Sequence, residues 1–132
     1  MDRREAGAWA RRSRRDPAEA RWLWAAGAGP ENVRFLAHQA AEKAIKSGFL
    51  DADLPVPRSH DLEMLAGQLK IAGLAALTGE FASLNRWVGM ARYPSVVDEY
   101  FGEAPDQAIR YTSAILTLVL GPGAESLTQE VA

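Results

Sequence analysis

The sequence predicts an all-α protein, an up-and-down antiparallel bundle of four to five helices. Three observations lead to this fold class: apolar residues recur at helical spacing, strand-like alternation is scarce, and Gly and Pro separate the periodic segments by short loops. The 132 residues are 48% apolar and 24% charged, which is the composition of one globular domain. We expect the domain to occupy residues 1–120, with residues 121–132 as a flexible C-terminal tail.

Two helices are predicted in the N-terminal part of the chain. Asp16 and Pro17 are typical of a helix start, with Asp16 as the N-cap, so a helix is predicted from about residue 17 to 28. The arginine-rich segment before it is also helical, and either ends there or continues through a kink at Pro17. A Gly-Pro pair then breaks the chain, and Pro30 begins a second helix that extends to about residue 50.

Three further helices are predicted after a proline-containing loop. Ser59 or Asp61 caps the third, which ends at about residue 70. Thr78 caps the fourth, which reaches about residue 90 before Pro94 ends that region. The fifth extends from about residue 104 to 119, and its predicted buried side consists of Ala108, Tyr111, Thr112, Ile115, Leu116 and Val119.

Charge is unevenly distributed, although the net charge is −2. Residues 1–24 hold seven arginines and four acids, whereas residues 98–130 hold six acids and one arginine. A basic end attracts phosphate, but arginines on a helix surface are more often solvated or paired. The chain has no Cys, and the twin-arginine-like Arg14-Arg15 is followed by Asp-Pro rather than an apolar segment. A chain without Cys is expected to be cytoplasmic, and no segment is long and apolar enough to span a membrane.

The predicted second helix has two unlike faces between Val33 and Ser47. One face carries the apolar side chains of Val33, Leu36, Ala37, Ala40, Ala41, Ala44 and Ile45. The opposite face carries His38, Gln39, Glu42, Lys43 and Lys46. Two interpretations remain open for this polar face: it forms a groove for a nucleotide phosphate or base, or it is a solvated face with Glu42 and Lys46 as an i, i+4 ion pair.

Two short motifs downstream add candidate site residues. In Ser59-His60-Asp61-Leu62, His60 is either a general base or a structural hydrogen-bond partner at a helix start. In Ala91-Arg92-Tyr93-Pro94, Arg92 either clamps a phosphate, with Tyr93 stacked on a base, or pairs with Glu42. The pairing would fix the end of the fourth helix on the second.

These motifs together resemble the HEPN family. The segment from Phe35 to Lys46, with His38-Gln39-Ala40-Ala41-Glu42-Lys43-Ala44 inside it, resembles the most typical segment of that family. His60-Asp61-Leu62 and Arg92-Tyr93-Pro94 resemble its other two motifs, and Trp9 and Asp16 resemble residues in the first helix of stand-alone bacterial members. The resemblance covers about residues 5–120. It implies a helical bundle, usually homodimeric, that often pairs with a minimal nucleotidyltransferase in two-component, toxin–antitoxin-like systems.

The sequence departs from the catalytic branch of that family. Many HEPN proteins are metal-independent ribonucleases with an Arg followed, after four to six residues, by a His on the same helix face. Arg86 would need a His at position 91, 92 or 93, and Arg34 precedes His38 by too few residues on the wrong helix. The absence of the motif disfavours ribonuclease activity. No metal-ligand cluster or phosphate-loop glycine pattern appears either, so we expect no catalytic residue, no metal and no cofactor.

The resemblance therefore implies a protein that binds a nucleotide or RNA phosphate and partners a nucleotidyltransferase. The candidate ligand-binding residues are Gln39, Glu42, Lys43, Lys46, His60, Arg92 and Tyr93. One alternative is a ribonuclease toxin with a non-standard site built from His60, Arg92 and Tyr93, and another is a non-catalytic scaffold for a partner.

A homodimer is also expected from the residues themselves. The alanines of the second helix and the high apolar content suggest more apolar surface than a monomeric bundle needs, and helices approach closely over alanines. We expect Trp22, Trp24 and Trp87 to be core or dimer contacts and not ligand platforms.

Overall fold

The computed structural model describes residues 3–27, 29–86 and 105–121. Its helices, in chain order, are α1 (Arg3–Ala25), α2 (Pro30–Asp51), α3 (Leu62–Gln68), α4 (Thr78–Asn85) and α5 (Pro105–Leu120), with one 3₁₀ turn, Leu74–Ala76, before α4. These described residues contain no strand, which confirms the all-α prediction. Trp87, the motif around Arg92 and Tyr93, and the predicted C-terminal tail apart from Gly121 lie outside the described residues.

Helix α1 continues through Pro17, so the prediction that Asp16 caps a separate helix is wrong, and the alternative of one continuous helix is confirmed. A proline inside a helix removes one backbone hydrogen bond and is unfavourable by about 3 kcal/mol. Packing of α1 along α2 compensates, since these two helices share the most extensive contact in the described bundle. Instead of capping, Asp16 directs its carboxylate toward α2, where Lys43 Nζ lies 2.7 Å from Oδ2.

Helix α2 is the central helix of the described bundle, and most of its side chains are buried. It contacts α1, α3, α4 and α5, and both its apolar and its polar side chains are enclosed, including Arg34, His38, Glu42 and Lys46. Of the polar face, Gln39 and Lys43 stay partly exposed. The predicted i, i+4 ion pair of Glu42 and Lys46 is confirmed at 3.2 Å, but it is buried instead of solvated.

The alanines of α2 are used inside the chain. Ala37, Ala40, Ala41 and Ala44 are fully buried, and Thr112 Oγ1 of α5 donates a hydrogen bond of 2.8 Å to the Ala37 carbonyl. Small side chains let the neighbouring helices approach this closely. The argument that these alanines form a dimer face is wrong, because no surface of them is left for a second copy.

The main apolar core lies between α2 and the three helices that follow it. Phe49 of α2, Leu65 of α3 and Phe81 of α4 belong to one buried cluster with Ile115 of α5. The predicted buried side of α5 is confirmed, since Ala108, Thr112, Ile115 and Leu116 are buried and Tyr111 and Val119 pack partly buried against the core. None of the described helices combines the length and the apolar character that crossing a bilayer requires.

Candidate functional site

The loop before α3 is fixed by a helix cap. Asp61 Oδ1 accepts hydrogen bonds from the backbone N–H groups of Glu63 (3.1 Å) and Met64 (3.3 Å), as the sequence predicted. Asn85 of α4 adds two contacts: its Nδ2 donates to Asp61 Oδ1 at 2.9 Å, and its Oδ1 accepts from Leu62 N at 3.0 Å. The residue before the cap, His60, is consequently presented on a rigid segment.

His60 and Lys46 meet at the carboxylate of Glu42. His60 Nδ1 donates to Glu42 Oε1 over 2.8 Å, and Lys46 Nζ donates to Glu42 Oε2 over 3.2 Å. The side chains of Glu42 and Lys46 are only 7% and 9% exposed, whereas that of His60 is 67% exposed. The structural hydrogen bond predicted for His60 is confirmed. Since Nδ1 is bonded to the carboxylate, Nε2 is the ring nitrogen left to meet a ligand.

His38 lies beneath this contact and is completely buried. Its Nε2 is 2.9 Å from the carbonyl oxygen of His60, so Nε2 carries the proton and donates it. Its Nδ1 is 4.0 Å from Glu42 Oε1. Burial lowers the pKa of His38 below its ordinary value of 6.5, and this outweighs the Glu42 carboxylate and the hydrogen bond to His60, both of which raise it.

This pKa predicts how stability depends on pH. Below pH 6.5 the unfolded chain takes up a proton that the buried, neutral His38 does not, so the free energy of unfolding should fall as the pH drops through that range. The slope from one such group approaches about 1.4 kcal/mol per pH unit. Urea denaturation between pH 5 and 8 should show a shallower slope for His38→Gln, whose amide still donates to the His60 carbonyl. Equal slopes in both proteins would contradict the prediction.

A second charged cluster connects α1 to α2. The Asp16 side chain is 2% exposed, with Lys43 Nζ 2.7 Å from Oδ2 and Arg12 Nε 3.3 Å from Oδ1. Trp9 lies one turn before Arg12, and Lys46 Nζ is 5.9 Å from the centre of its ring. The two clusters are therefore neighbours, with Lys46 between Trp9 and Glu42.

Two surface cavities differ in their relation to these clusters. One of about 260 Å³ is lined by Trp9, Arg12 and Lys43. A larger one, of about 560 Å³, lies at the C-terminal end of α2, beside Gly48 and Leu69, and includes none of the predicted site residues. Within the described ranges, no group of His, Asp and Glu side chains is arranged to hold a metal ion.

Of the seven predicted site residues, the structure joins Glu42, Lys46 and His60 in one cluster and places Lys43 in the neighbouring cluster with Asp16. Gln39 is partly exposed on α2 and takes no part in these hydrogen bonds, and Arg92 and Tyr93 lie outside the described residues. The seven candidates omit His38, which the sequence places on the same polar face, and also Arg12 and Asn85. The i, i+4 spacings of His38 with Glu42 and of Arg12 with Asp16 are visible in the sequence, whereas nothing in it indicates the contact of Asn85 with Asp61.

The family described as HEPN domain matches residues 6–122 of the chain. A search of curated proteins and a search of solved structures each gave no significant match. The family match spans nearly all of the described bundle and confirms the resemblance drawn from the three motifs. This chain therefore belongs to the HEPN domain family.

Proposed function

We propose that this HEPN protein binds a nucleotide or an RNA phosphate on the surface formed by α1, α2 and the loop before α3. The observation that carries the proposal is a cation, Lys43, fixed at this surface by the buried Asp16 carboxylate. A lysine ammonium has three N–H groups, and the contact with Asp16 leaves others for a phosphate. The exposed ring of His60, on the loop before α3, adds a second polar group to this surface.

The predicted residues divide into two roles under this proposal. Lys43, 24% exposed, and His60 are accessible and contact the ligand directly. Glu42 and Lys46 are buried and hold His60 and Trp9 in place. Gln39 is accessible beside them on α2, and Arg92 and Tyr93 stay predicted ligand contacts on the strength of their motif alone.

Titration calorimetry with ATP, GTP and short RNAs tests this function. We expect at least one of them to bind, and Lys43→Gln to weaken that binding by about ten-fold, because a charge-assisted contact to phosphate is lost. Lys70→Gln is the matched control, since Lys70 is an exposed lysine beside the larger cavity at the C-terminal end of α2, which includes none of the predicted site residues. Thermal melting of each variant shows whether the fold is kept. No binding of any of these ligands to the unmodified protein would remove the proposal.

A ribonuclease is the second candidate, favoured by the contact between His60 and Glu42. A carboxylate that accepts from Nδ1 orients the ring and leaves Nε2 unprotonated in the neutral form, which is the arrangement of a general base. This activity predicts cleavage of total RNA that His60→Gln abolishes, and Arg92→Ala as well if Arg92 belongs to the site. Intact RNA at high protein concentration would exclude it.

We further propose that the chain forms a homodimer and partners a minimal nucleotidyltransferase. The exposed aromatic side chains Trp22 (58%), Trp24 and Phe35 lie on either side of the short α1–α2 connection and supply the apolar surface that the buried alanines do not. Light scattering should give twice the chain mass of 14.4 kDa, and Trp22→Ser with Phe35→Ser should reduce it to the monomer. A monomer mass for the unmodified protein at micromolar concentration would contradict the dimer. Co-purification with the nucleotidyltransferase tests the partner.

A further inference from the structure

We propose that Trp9, Arg12 and Lys43 form a subsite for one nucleotide unit, with the base stacked on Trp9 and the phosphate between the two cations. The inference rests on the proposed function, because it states where and how the ligand is bound. Of the three residues only Lys43 belongs to the candidate set that the sequence predicts. The recognised chemistry is a nucleobase joined to a phosphate, either as a free mononucleotide or as one unit of a single-stranded RNA.

The size of the cavity limits the ligand. Its volume of about 260 Å³ lies just below the range of roughly 300–1,000 Å³ that is usual for small-molecule sites. One base with its phosphate fits a cavity of this size, whereas a folded RNA element does not. The cavity is open to the surface of α1 and α2, so a strand can continue beyond it.

One buried carboxylate lies beside both cations before any ligand arrives. Arg12 approaches Asp16 through Nε at 3.3 Å. The terminal amino groups on the outer edge of the guanidinium are therefore left to donate to a phosphate. Lys43 uses one contact on the same carboxylate, at 2.7 Å. Because Lys43 donates a hydrogen bond to the buried carboxylate, less of its conformational entropy remains to be lost on binding, whereas Arg12 is 55% exposed beside it. Asp16 is thus a positioning residue.

The charge that a ligand meets is positive. The cavity is lined by Arg12 and Lys43, and the Asp16 carboxylate is buried behind them and does not line it. Two positive charges against one negative charge leave an excess of one positive charge at this position. A phosphate is attracted to such a site, and a neutral nucleoside is not.

Trp9 supplies the surface for the base. Its ring is partly exposed, and Lys46 Nζ lies 5.9 Å from the ring centre. Stacking of a base on an aromatic ring is independent of sequence, because every base has a flat face. Replacing such a ring by an aliphatic side chain weakens binding by about ten-fold or more.

Equilibrium binding to the full chain tests the subsite with AMP, GMP, adenosine, inorganic phosphate and a 5′-phosphorylated trinucleotide. We expect AMP or GMP to bind more tightly than adenosine or phosphate alone. Arg12→Gln should weaken AMP binding about ten-fold and leave adenosine unchanged. Trp9→Leu should weaken both AMP and adenosine, and leave phosphate unchanged. If Trp9→Leu does not fold, Trp9→Phe should fold and retain AMP binding. In that case the effect of Arg12→Gln on AMP binding decides whether the subsite exists.

Arg15→Gln is the matched control, because Arg15 also forms a 3.3 Å ion pair at i, i+4 on α1, with the exposed Glu19. Arg15→Gln should leave the binding of all five ligands unchanged. Tighter binding of the trinucleotide than of AMP would assign the subsite to an RNA strand, and the reverse to a free nucleotide. Nucleotide or RNA binding that Arg12→Gln and Trp9→Leu leave unchanged would overturn the subsite but not the proposed function. No binding of any nucleotide or RNA to the unmodified chain would overturn both.

Discussion

Replacing Glu42 by alanine is expected to lower the free energy of unfolding by about 3–5 kcal/mol. The carboxylate is the shared partner of Lys46 and His60, and the Lys46 side chain is 9% exposed. Without Glu42, the Lys46 ammonium is left in a poorly solvated position with no counter-charge at this contact, and the desolvation penalty of an uncompensated charge is large. Urea denaturation at pH 7, fitted to a two-state model, measures the loss.

A double substitution separates the contribution of the ion pair to the free energy of unfolding from the penalty of removing one partner only. In Glu42→Leu with Lys46→Leu, no buried charge remains, and apolar replacement of a buried pair is often neutral or stabilising. We expect this protein to be several kcal/mol more stable than Glu42→Ala while having lost the support of His60. A loss below about 1 kcal/mol in Glu42→Ala would show that the pair is solvated in solution, contrary to its burial.

Replacing Phe81 by alanine is expected to lower the free energy of unfolding by about 3–5 kcal/mol. The side chain is 1% exposed and belongs to the core cluster that joins α4 to α2, α3 and α5. Removing a ring from a close-packed core forfeits its transfer free energy and leaves a cavity that the neighbours fill only in part. Thermal and urea denaturation both measure this change.

The conservative variant Phe81→Leu is the control, since it keeps most of the apolar volume and should lose about 1 kcal/mol. Phe81→Ala should also disturb the position of His60 in the candidate site. It loosens α4, which carries Asn85, and Asn85 holds the Asp61 cap next to His60. Full stability of Phe81→Ala would contradict the assignment of Phe81 to the core.

Local features of the sequence were sufficient to predict the helical segments and the Asp61 cap of α3. The i, i+3, i+4 spacing of apolar residues predicts α2 and α5, because it depends only on helix geometry. Asp61 before Leu62 predicts the start of α3, since a cap is satisfied by the next three residues of the chain. The motifs of the second helix and of the loop before α3 likewise indicated the HEPN family that the domain match confirms.

Only the tertiary structure decided what the polar residues of α2 do. Periodicity shows that one face of a helix is apolar, but it does not show whether other helices also cover the opposite face. Here Asp16 reaches Lys43 across 27 residues of chain, and His60 reaches Glu42 across 18. A buried charge is tolerable only where such a partner is supplied, and a partner distant in sequence has no local signature. For the same reason Asp16, which looks like a cap beside Pro17, proved to be an ion-pair residue within a continuous helix.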